Sequence, residues 1–169
     1  GNAGIASLAE CVAIKDTDVE ALVAFARENG VELTVVGPEA SLAVGVVDRF
    51  REEGLRIFGP TKAATEIESS KDFAKRFMQR HNIPTAAYQT FTGENLEEGL
   101  KFLETLKAPY VLKADGLCAG KGVLILPTLD EAKRELKEML GGMFGNASSR
   151  VVIEEFMSGI ECSVFVLTD

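Results

Sequence analysis

The chain has 169 residues, a hydrophobic fraction of 46% and a formal net charge of −8, so it is long enough for one or two domains with buried cores. No apolar run reaches the roughly 18 residues of a membrane span, and the acidic balance argues against nucleic acid, because phosphate backbones are bound by clustered lysine and arginine. The cysteines are widely spaced without a C-x-x-C pair, and no basic-then-apolar leader begins the chain, which favours a soluble cytoplasmic protein without disulfides or structural zinc.

The first part of the chain alternates helical and β patterns. Thr17 and Glu20 have the spacing of a capping box, so a helix is predicted to begin there. The predicted elements are, in order, a helix ended by Gly30, a strand over residues 31–36, a helix marked by Leu42, Val46, Val47 and Phe50, and a strand over residues 55–58. This order predicts a parallel sheet, whose ligand site would lie at the carboxyl ends of the strands, where Gly37-Pro-Glu39 and Gly59-Pro-Thr61 stand.

The second part has a different order of elements and is predicted to be a separate α+β unit. The elements are, in order, a helix over residues 71–82, a strand over 87–91, a helix over 96–106, strands over 110–113 and 123–126, a helix capped by Thr128 and Glu131 that continues through Leu140, a loose segment over 141–149, and strands over 151–156 and 162–167. Pro84 prevents the first of these helices from continuing. The boundary between the two units is predicted between residues 60 and 85.

The stretch from Pro109 to Leu126 carries the clearest chemical signal, because two β-rich runs flank a glycine-rich turn. The glycines of the turn are Gly116, Gly120 and Gly122. Without Cβ atoms the turn can lay backbone N–H groups against phosphate oxygens, and Lys113 and Lys121 add positive charge. It is not a P-loop, since a strand follows it, but kinase-like sites cover ATP phosphates with such a turn and a strand lysine. The ordinary alternative is a flexible surface hairpin.

Two further segments fit a nucleotide. Lys71 stands at the start of a predicted helix, and Glu154, Glu155 and Met157 lie at the end of a predicted strand, followed by Glu161. A purine edge needs one carbonyl and one N–H, which a strand can offer from its backbone, and a ribose needs a carboxylate that accepts from its hydroxyls. The ordinary alternative is that Lys71 is a solvated helix residue and that the glutamates are surface acids.

Short motifs are spread along nearly the whole chain. They are Gly1-Asn-Ala-Gly4, Val36-Gly-Pro-Glu39, Gly45-Val-Val-Asp48, Phe58-Gly-Pro-Thr61, Ser70-Lys-Asp-Phe-Ala-Lys75, Ile83-Pro-Thr-Ala86, Lys113-Ala-Asp-Gly116, Ala119-Gly-Lys-Gly122 and Val152-Ile-Glu-Glu-Phe156. This set resembles the glycinamide ribonucleotide synthetase family of ATP-grasp enzymes. The Gly-Pro-Glu and Phe-Gly-Pro-Thr segments separate that family from other ATP-grasp enzymes.

The resemblance implies an α/β fold, in which a partial parallel α/β pre-ATP-grasp domain precedes an α+β ATP-grasp subdomain. It also implies a ligase of purine synthesis that joins glycine to 5-phosphoribosylamine through a glycyl phosphate, with cleavage of ATP to ADP and phosphate. No nucleic acid and no membrane are expected among its partners.

The resemblance also implies a set of site residues. Lys113 would be catalytic, Lys71 and Lys113 would hold ATP phosphates, and residues 115–122 would form a lid. The implied nucleotide contacts are Lys71, Lys113, Asp115, Gly116, Gly120, Lys121, Gly122, Glu154, Glu155, Met157 and Glu161, with adenine read by the backbone of Glu155 and Met157 and the ribose held by Glu161. The 5-phosphoribosylamine pocket would be bordered by Asn2, Gly4, Pro38, Glu39 and Asp48.

Several family features have no match in this sequence: the first strand with its glycine-rich loop, the magnesium ligands and the glycine-site residues. The chain is therefore expected to be an internal fragment, inactive alone, of an enzyme whose Mg²⁺ or Mn²⁺ ligands lie elsewhere. The predicted divisions are an N-terminal domain over residues 1–68, the helical start of the ATP-grasp core over 69–85, a lid subdomain over 86–156, and the start of the core sheet over 157–169. Two alternatives stay open, a different ATP-grasp carboxylate–amine ligase and a nucleotide-binding module without turnover.

Overall fold

The computed structural model describes residues 2–118 and 120–166 and divides into two compact units, residues 1–74 and 75–169. Five residues lie outside the described ranges: Gly1 of the first motif, Ala119 of the predicted lid, and residues 167–169, which end the last predicted strand and division. None of the helices in the described ranges combines the length and apolar character that a membrane-spanning helix requires.

The first unit contains short helices and a two-stranded parallel sheet. Its elements are α1 (Ala3–Ala6), α2 (Val19–Glu28), β1 (Thr34–Val35), α3 (Glu39–Ala43), α4 (Val46–Glu52), β2 (Ile57–Phe58) and α5 (Lys62–Ser69). The sheet pairs Thr34 with Ile57 and Val35 with Phe58, so the predicted parallel pairing is confirmed over two residues of each strand. The core of the unit consists of Val23, Ala26, Val46, Val47 and Phe50.

Two details of the first unit differ from the sequence prediction. The residue that caps α2 is Asp18, not Thr17, because the Asp18 carboxylate accepts the backbone N–H of Ala21 at 3.2 Å. The single helix predicted around residues 42–50 is two helices, because Gly45 has a left-handed φ of 90° that a continuous helix does not allow. Helix α5 was not predicted; Thr61 caps it by accepting the N–H of Ala64 at 3.3 Å.

A surface ion pair joins α2 to α4. Arg49 donates from Nε to Glu20 at 2.8 Å and also pairs with Glu53. The hydrogen bond from Arg49 holds the pKa of the Glu20 carboxyl below its ordinary value. Both groups are reachable by solvent, so this pair contributes little to folding and is sensitive to salt.

Helix α6 (Lys71–Arg80) contains the division between the units, and Ser70 caps it by accepting the N–H of Phe73 at 3.1 Å. The remaining elements of the second unit are β3 (Tyr88–Thr92), a 3₁₀ turn (Gly93–Asn95), α7 (Leu96–Thr105), β4 (Tyr110–Ala114), β5 (Val123–Leu126), α8 (Leu129–Glu138), a π turn (Met139–Met143), a 3₁₀ turn (Gly145–Ser148) and β6 (Arg150–Glu154). The four strands form one antiparallel sheet in the order β3, β6, β4, β5. Helices α7 and α8 supply Leu103 and Leu136 to the core of this unit, where Leu112 and Ile153 of the sheet are fully buried.

The predicted hairpin and the predicted cap of α8 are confirmed. Strands β4 and β5 pair in register from Tyr110 with Leu126 to Lys113 with Val123, and Thr128 accepts the N–H of Glu131 at 3.3 Å. Two predictions in this unit are wrong. The segment predicted to be loose, residues 141–149, is largely in the π and 3₁₀ turns. Residues 162–166 form no strand, since a strand needs a neighbour and nothing in the described part of the chain pairs with them.

Candidate functional site

Two lysines converge on one buried carboxylate at the end of β6. Glu154 is only 4% exposed, and its Oε2 atom lies 3.0 Å from Lys113 Nζ and 3.1 Å from Lys75 Nζ. The register that pairs β6 with β4 places Glu154 opposite Val111, so Lys113 reaches it along the strand face. This lysine–carboxylate cluster, Lys75, Lys113 and Glu154, carries one positive charge in excess. A partly buried positive site of this kind favours an anion.

The two lysines of the cluster differ in how they are held. The side chain of Lys75 is 9% exposed, whereas that of Lys113 is 28% exposed. Lys75 Nζ also donates to Thr85 Oγ1 at 2.7 Å and to the carbonyl of Ala86 at 3.5 Å, and it lies 5.5 Å from the centre of the Tyr88 ring. Lys75 is therefore fixed by several partners, while Lys113 lies nearer the surface.

Sequence reasoning identified Lys113 and Glu154 but did not single out Lys75. A signal was present, because Lys75 lies three residues before Met78 and so on a helix face with an apolar neighbour. A lysine at an inward position needs a buried partner. The interpretation of Glu154 as a surface acid is wrong, since the carboxylate is buried.

The first residues of the turn after β4 are held by β6 and by the 3₁₀ turn that precedes it. Asp115 is 5% exposed, and its carboxylate pairs with Arg150 at 2.8 Å. Its backbone N–H donates to the Arg150 carbonyl at 3.1 Å, and the Gly116 N–H donates to the Ala147 carbonyl at 3.0 Å. A Cβ atom on Gly116 would lie 2.9 Å from the Ala147 Cα atom, so this position has room only for glycine. The start of the predicted lid is therefore anchored.

The later part of the turn has the geometry that glycine allows. Gly120 has a left-handed φ of 78°, whereas the φ of Gly122 lies outside that region. Instead, a Cβ atom on Gly122 would lie 2.8 Å from both Cβ and Sγ of Cys118, so a close approach explains this glycine. Lys121 is exposed, and its backbone N–H donates to the Cys118 carbonyl at 2.9 Å. Its ammonium group, rather than its amide, is thus the group that an anion would meet.

The segment after β6 holds the residues predicted for adenine and ribose. The Glu155 N–H donates to the Ala87 carbonyl at 3.0 Å, and the Glu155 carboxylate accepts the Ala87 N–H at 3.0 Å. Met157 is 67% exposed, and Glu161 is exposed in a segment without regular structure. Because the Glu155 N–H is engaged, the Glu155 carbonyl is the group at this position that a base edge would meet.

In the first unit, the two segments predicted for a ligand site leave the same edge of the small parallel sheet. Strands β1 and β2 are parallel and end in register at Val35 and Phe58, so the segments beginning at Gly37 and Gly59 leave the same edge of the sheet. The Asp48 carboxylate accepts the backbone N–H of Lys62 at 2.7 Å and thereby fixes the start of α5 at this edge.

The other predicted residues of the first unit occupy helix starts. Pro38 precedes α3, Glu39 is its first residue, and Lys71 is the first residue of α6. Asn2 caps α1 by accepting the N–H of Ile5 at 2.9 Å, and Gly4 lies inside that helix. Asn2 and Gly4 thus have a local structural role, and their part in a pocket stays a prediction.

Within residues 2–118 and 120–166, no group of three or more His, Cys, Asp or Glu side chains is placed to hold a metal ion. All buried side-chain polar atoms of the described residues have a hydrogen-bond partner.

The fold defines the class of protein. The chain resembles the biotin carboxylase domain of a 2-oxoglutarate carboxylase from Hydrogenobacter thermophilus, with a TM-score of 0.68, 21% identity, and coverage of 87% of this chain and 34% of that one. That structure was solved with MgADP, and at this identity the likeness shows the fold alone. The fold is that of ATP-grasp ligases, because solved structures that are 32% and 26% identical to this chain share it.

Family models and close relatives then identify the family. Residues 1–68 match the N domain of phosphoribosylglycinamide synthetase, and residues 69–169 match its ATP-grasp (A) domain. A phosphoribosylamine–glycine ligase from Pasteurella multocida is 59% identical over the whole of this chain, which spans 40% of that relative's length. A crystal structure of the ligase from Thermotoga maritima has a TM-score of 0.70 and 32% identity, with coverage of 95% of this chain and 37% of that one. The chain belongs to the phosphoribosylglycinamide synthetase family.

Proposed function

We propose that the full-length protein containing this chain joins glycine to 5-phosphoribosylamine and forms glycinamide ribonucleotide, ADP and phosphate, as a step of purine synthesis in the cytoplasm. The support is family membership over the whole chain and 59% identity to a protein named phosphoribosylamine–glycine ligase. Since this chain spans 40% of that relative, the complete activity is proposed for the complete protein.

The proposed reaction has two steps. The glycine carboxylate takes the γ-phosphoryl group of ATP, which gives glycyl phosphate and ADP. The amine of 5-phosphoribosylamine then attacks the acyl carbon, the C–N bond forms, phosphate leaves, and the amine gives up a proton. Both steps spread negative charge over phosphoryl oxygens, so positive groups placed beforehand lower the barrier.

The observation that carries the proposal is the lysine–carboxylate cluster beside the glycine-rich turn. Lys113 is on the strand that leads into the turn. Its ammonium group pairs with the carboxylate of Glu154, which also pairs with Lys75. Lys113 can therefore turn toward a phosphate without leaving Glu154 unpaired. Lys121 lies exposed in the turn, and we assign it to the phosphates as well. We assign Lys71 to the phosphates on the family resemblance alone.

For the nucleoside, we assign the adenine edge to the Glu155 carbonyl and the Met157 N–H, and the ribose to the Glu161 carboxylate. The reciprocal bonds between Glu155 and Ala87 support this, because they orient the Glu155 peptide at the end of the sheet. For 5-phosphoribosylamine, we assign the edge of the small parallel sheet. At this edge Pro38 precedes α3, Glu39 is the first residue of α3, and Asp48 holds the start of α5.

Magnesium ions bound between phosphates neutralise charge in phosphoryl transfer. We propose that Mg²⁺, or Mn²⁺, serves here through residues outside this chain. The solved relative with MgADP supports this chemistry for the fold.

The test is an assay of the full-length protein for ADP formation with magnesium, in which glycine and 5-phosphoribosylamine are omitted in turn. The proposed ligase forms ADP at full rate only with both substrates. Another ATP-grasp carboxylate–amine ligase would not require this pair, and a binding module would form no ADP with any of them while still binding nucleotide.

A further inference from the structure

We propose that Lys75 is a positioning residue of the nucleotide site: it is the permanent counter-ion of Glu154, and this frees Lys113 to leave Glu154 for a phosphate. The inference rests on the proposed function, since it assigns a ligand to Lys113. Nothing in the family resemblance assigned a role to Lys75.

The first observation is that both ammonium groups contact the same oxygen. Lys75 Nζ and Lys113 Nζ lie 3.1 Å and 3.0 Å from Glu154 Oε2. Because Glu154 is 4% exposed, water cannot replace a departing lysine well. A buried carboxylate that loses its only cation is strongly destabilised. With two cations in place, one can depart and the carboxylate remains paired.

The second observation shows which lysine stays. Lys75 is tied to Thr85 Oγ1 and the Ala86 carbonyl, and its side chain is 9% exposed. The side chain of Lys113 is 28% exposed and lies on the strand that enters the glycine-rich turn. The charged groups that face Glu154 are thus a fixed lysine from α6 and a less buried one from β4. Tyr88 of β3 stands opposite Glu154 in the sheet with its ring beside Lys75.

The consequence is a specific coupling between three side chains. If Lys75 is removed, Lys113 becomes the sole partner of Glu154 and is held there. A nucleotide phosphate must then compete with a buried ion pair. If Glu154 is also neutralised, nothing holds Lys113, and Lys75 is no longer needed for nucleotide binding.

The experiment uses the full-length protein and the β,γ-imido analogue of ATP with Mg²⁺, with the dissociation constant measured by calorimetry. Lys75→Met is expected to weaken binding by about tenfold or more, because the remaining pair is buried. In the Glu154→Gln background the same change is expected to alter binding by less than about threefold, a non-additivity that double-mutant cycles detect. Lys75→Arg keeps the charge and is expected to restore most of the affinity lost in Lys75→Met.

Lys133→Met is the matched control, because it removes the same charge from a lysine whose partner, Glu104, lies at the surface. It is expected to leave analogue affinity unchanged. If the single variant Lys75→Met does not fold, the affinities of Glu154→Gln and of the double variant are compared instead. A loss of more than about threefold between these two would overturn the assignment of Lys75. An equally large loss of affinity in both backgrounds, or no loss in either, would overturn the assignment of Lys75. Failure of the unchanged protein to bind the analogue would instead overturn the proposed function, and the inference with it.

Discussion

Glu155 and Ala87 are joined by two reciprocal hydrogen bonds. The Glu155 N–H donates to the Ala87 carbonyl, and the Glu155 carboxylate accepts the Ala87 N–H, each at 3.0 Å. The pair lies one residue beyond the last paired positions of β3 and β6, Tyr88 and Glu154. It continues the ladder with a side chain in place of a strand carbonyl and fixes the peptide that we assign to adenine.

Glu155→Ala should therefore weaken nucleotide binding although the side chain itself is not assigned to the nucleotide. The change leaves the Ala87 N–H without its acceptor, which costs about 1 kcal/mol of unfolding free energy for an exposed hydrogen bond. Urea denaturation and MgADP titration of the full-length protein measure both effects. Glu155→Gln keeps an acceptor oxygen and should retain most of the affinity; equal losses in the two variants would contradict the explanation.

Lys113→Ala should reduce turnover far more than stability. A lysine that meets the transferring phosphoryl group contributes on the order of a few kcal/mol to the barrier, through a charge-assisted contact. Stability should change by about 1 kcal/mol or less, because Glu154 keeps Lys75 as a partner. The measurements are steady-state kinetics and thermal melting. Lys133→Ala, which removes a surface partner of Glu104, is the control and should leave turnover unchanged; near-normal turnover of Lys113→Ala would show that Lys113 does not contact phosphate.

Gly122→Ala should distort the turn, because its Cβ atom would lie 2.8 Å from Cys118. Overpacking of this kind costs about 1–3 kcal/mol where neighbours cannot move, and here it should appear as weaker nucleotide binding with an intact fold. Adding Cys118→Gly removes both clashing atoms and should recover much of the affinity. Gly116→Ala is the contrasting change: its Cβ atom would meet backbone at Ala147, so it should destabilise the fold itself. Circular dichroism separates the two effects, and a Gly122→Ala variant with normal affinity would contradict this account of the turn.

The Glu20 carboxyl should titrate below its ordinary pKa, because Arg49 donates a hydrogen bond to its charged form. A lowered pKa in the folded state means that the pair stabilises the protein above the ordinary carboxyl range, and that this effect disappears as the pH falls through the folded value. NMR titration should show the Glu20 pKa rising in Arg49→Gln. Glu104, whose pKa is lowered by a hydrogen bond from Lys133, is the internal control and should not change.

The sequence predicted the elements whose signals are local. The period of the apolar residues located α7 and α8, Thr128 marked the start of α8, and the glycines between two β-rich runs located the hairpin of β4 and β5. The motifs also identified the family, since the residues that carry them are contiguous in the chain. Capping and hairpin formation depend on neighbours a few residues apart, and such signals can be recognised without the fold.

Other features were decided by neighbours distant in sequence. The pattern of residues 162–166 is typical of a strand, but whether a strand forms depends on a neighbouring strand to pair with. In the described part of the chain no strand pairs with these residues. The strand order β3, β6, β4, β5 places Glu154 beside Lys113, which is 41 positions away in the sequence. Lys75, which also contacts Glu154, is farther away still. Only this tertiary arrangement buries Glu154 and brings Lys75 and Lys113 to one oxygen. The motifs were enough to identify the family and the two segments that carry the lysines. Which lysine is fixed depends on the fold, because burial and charge pairing arise only when α6, β4 and β6 pack together.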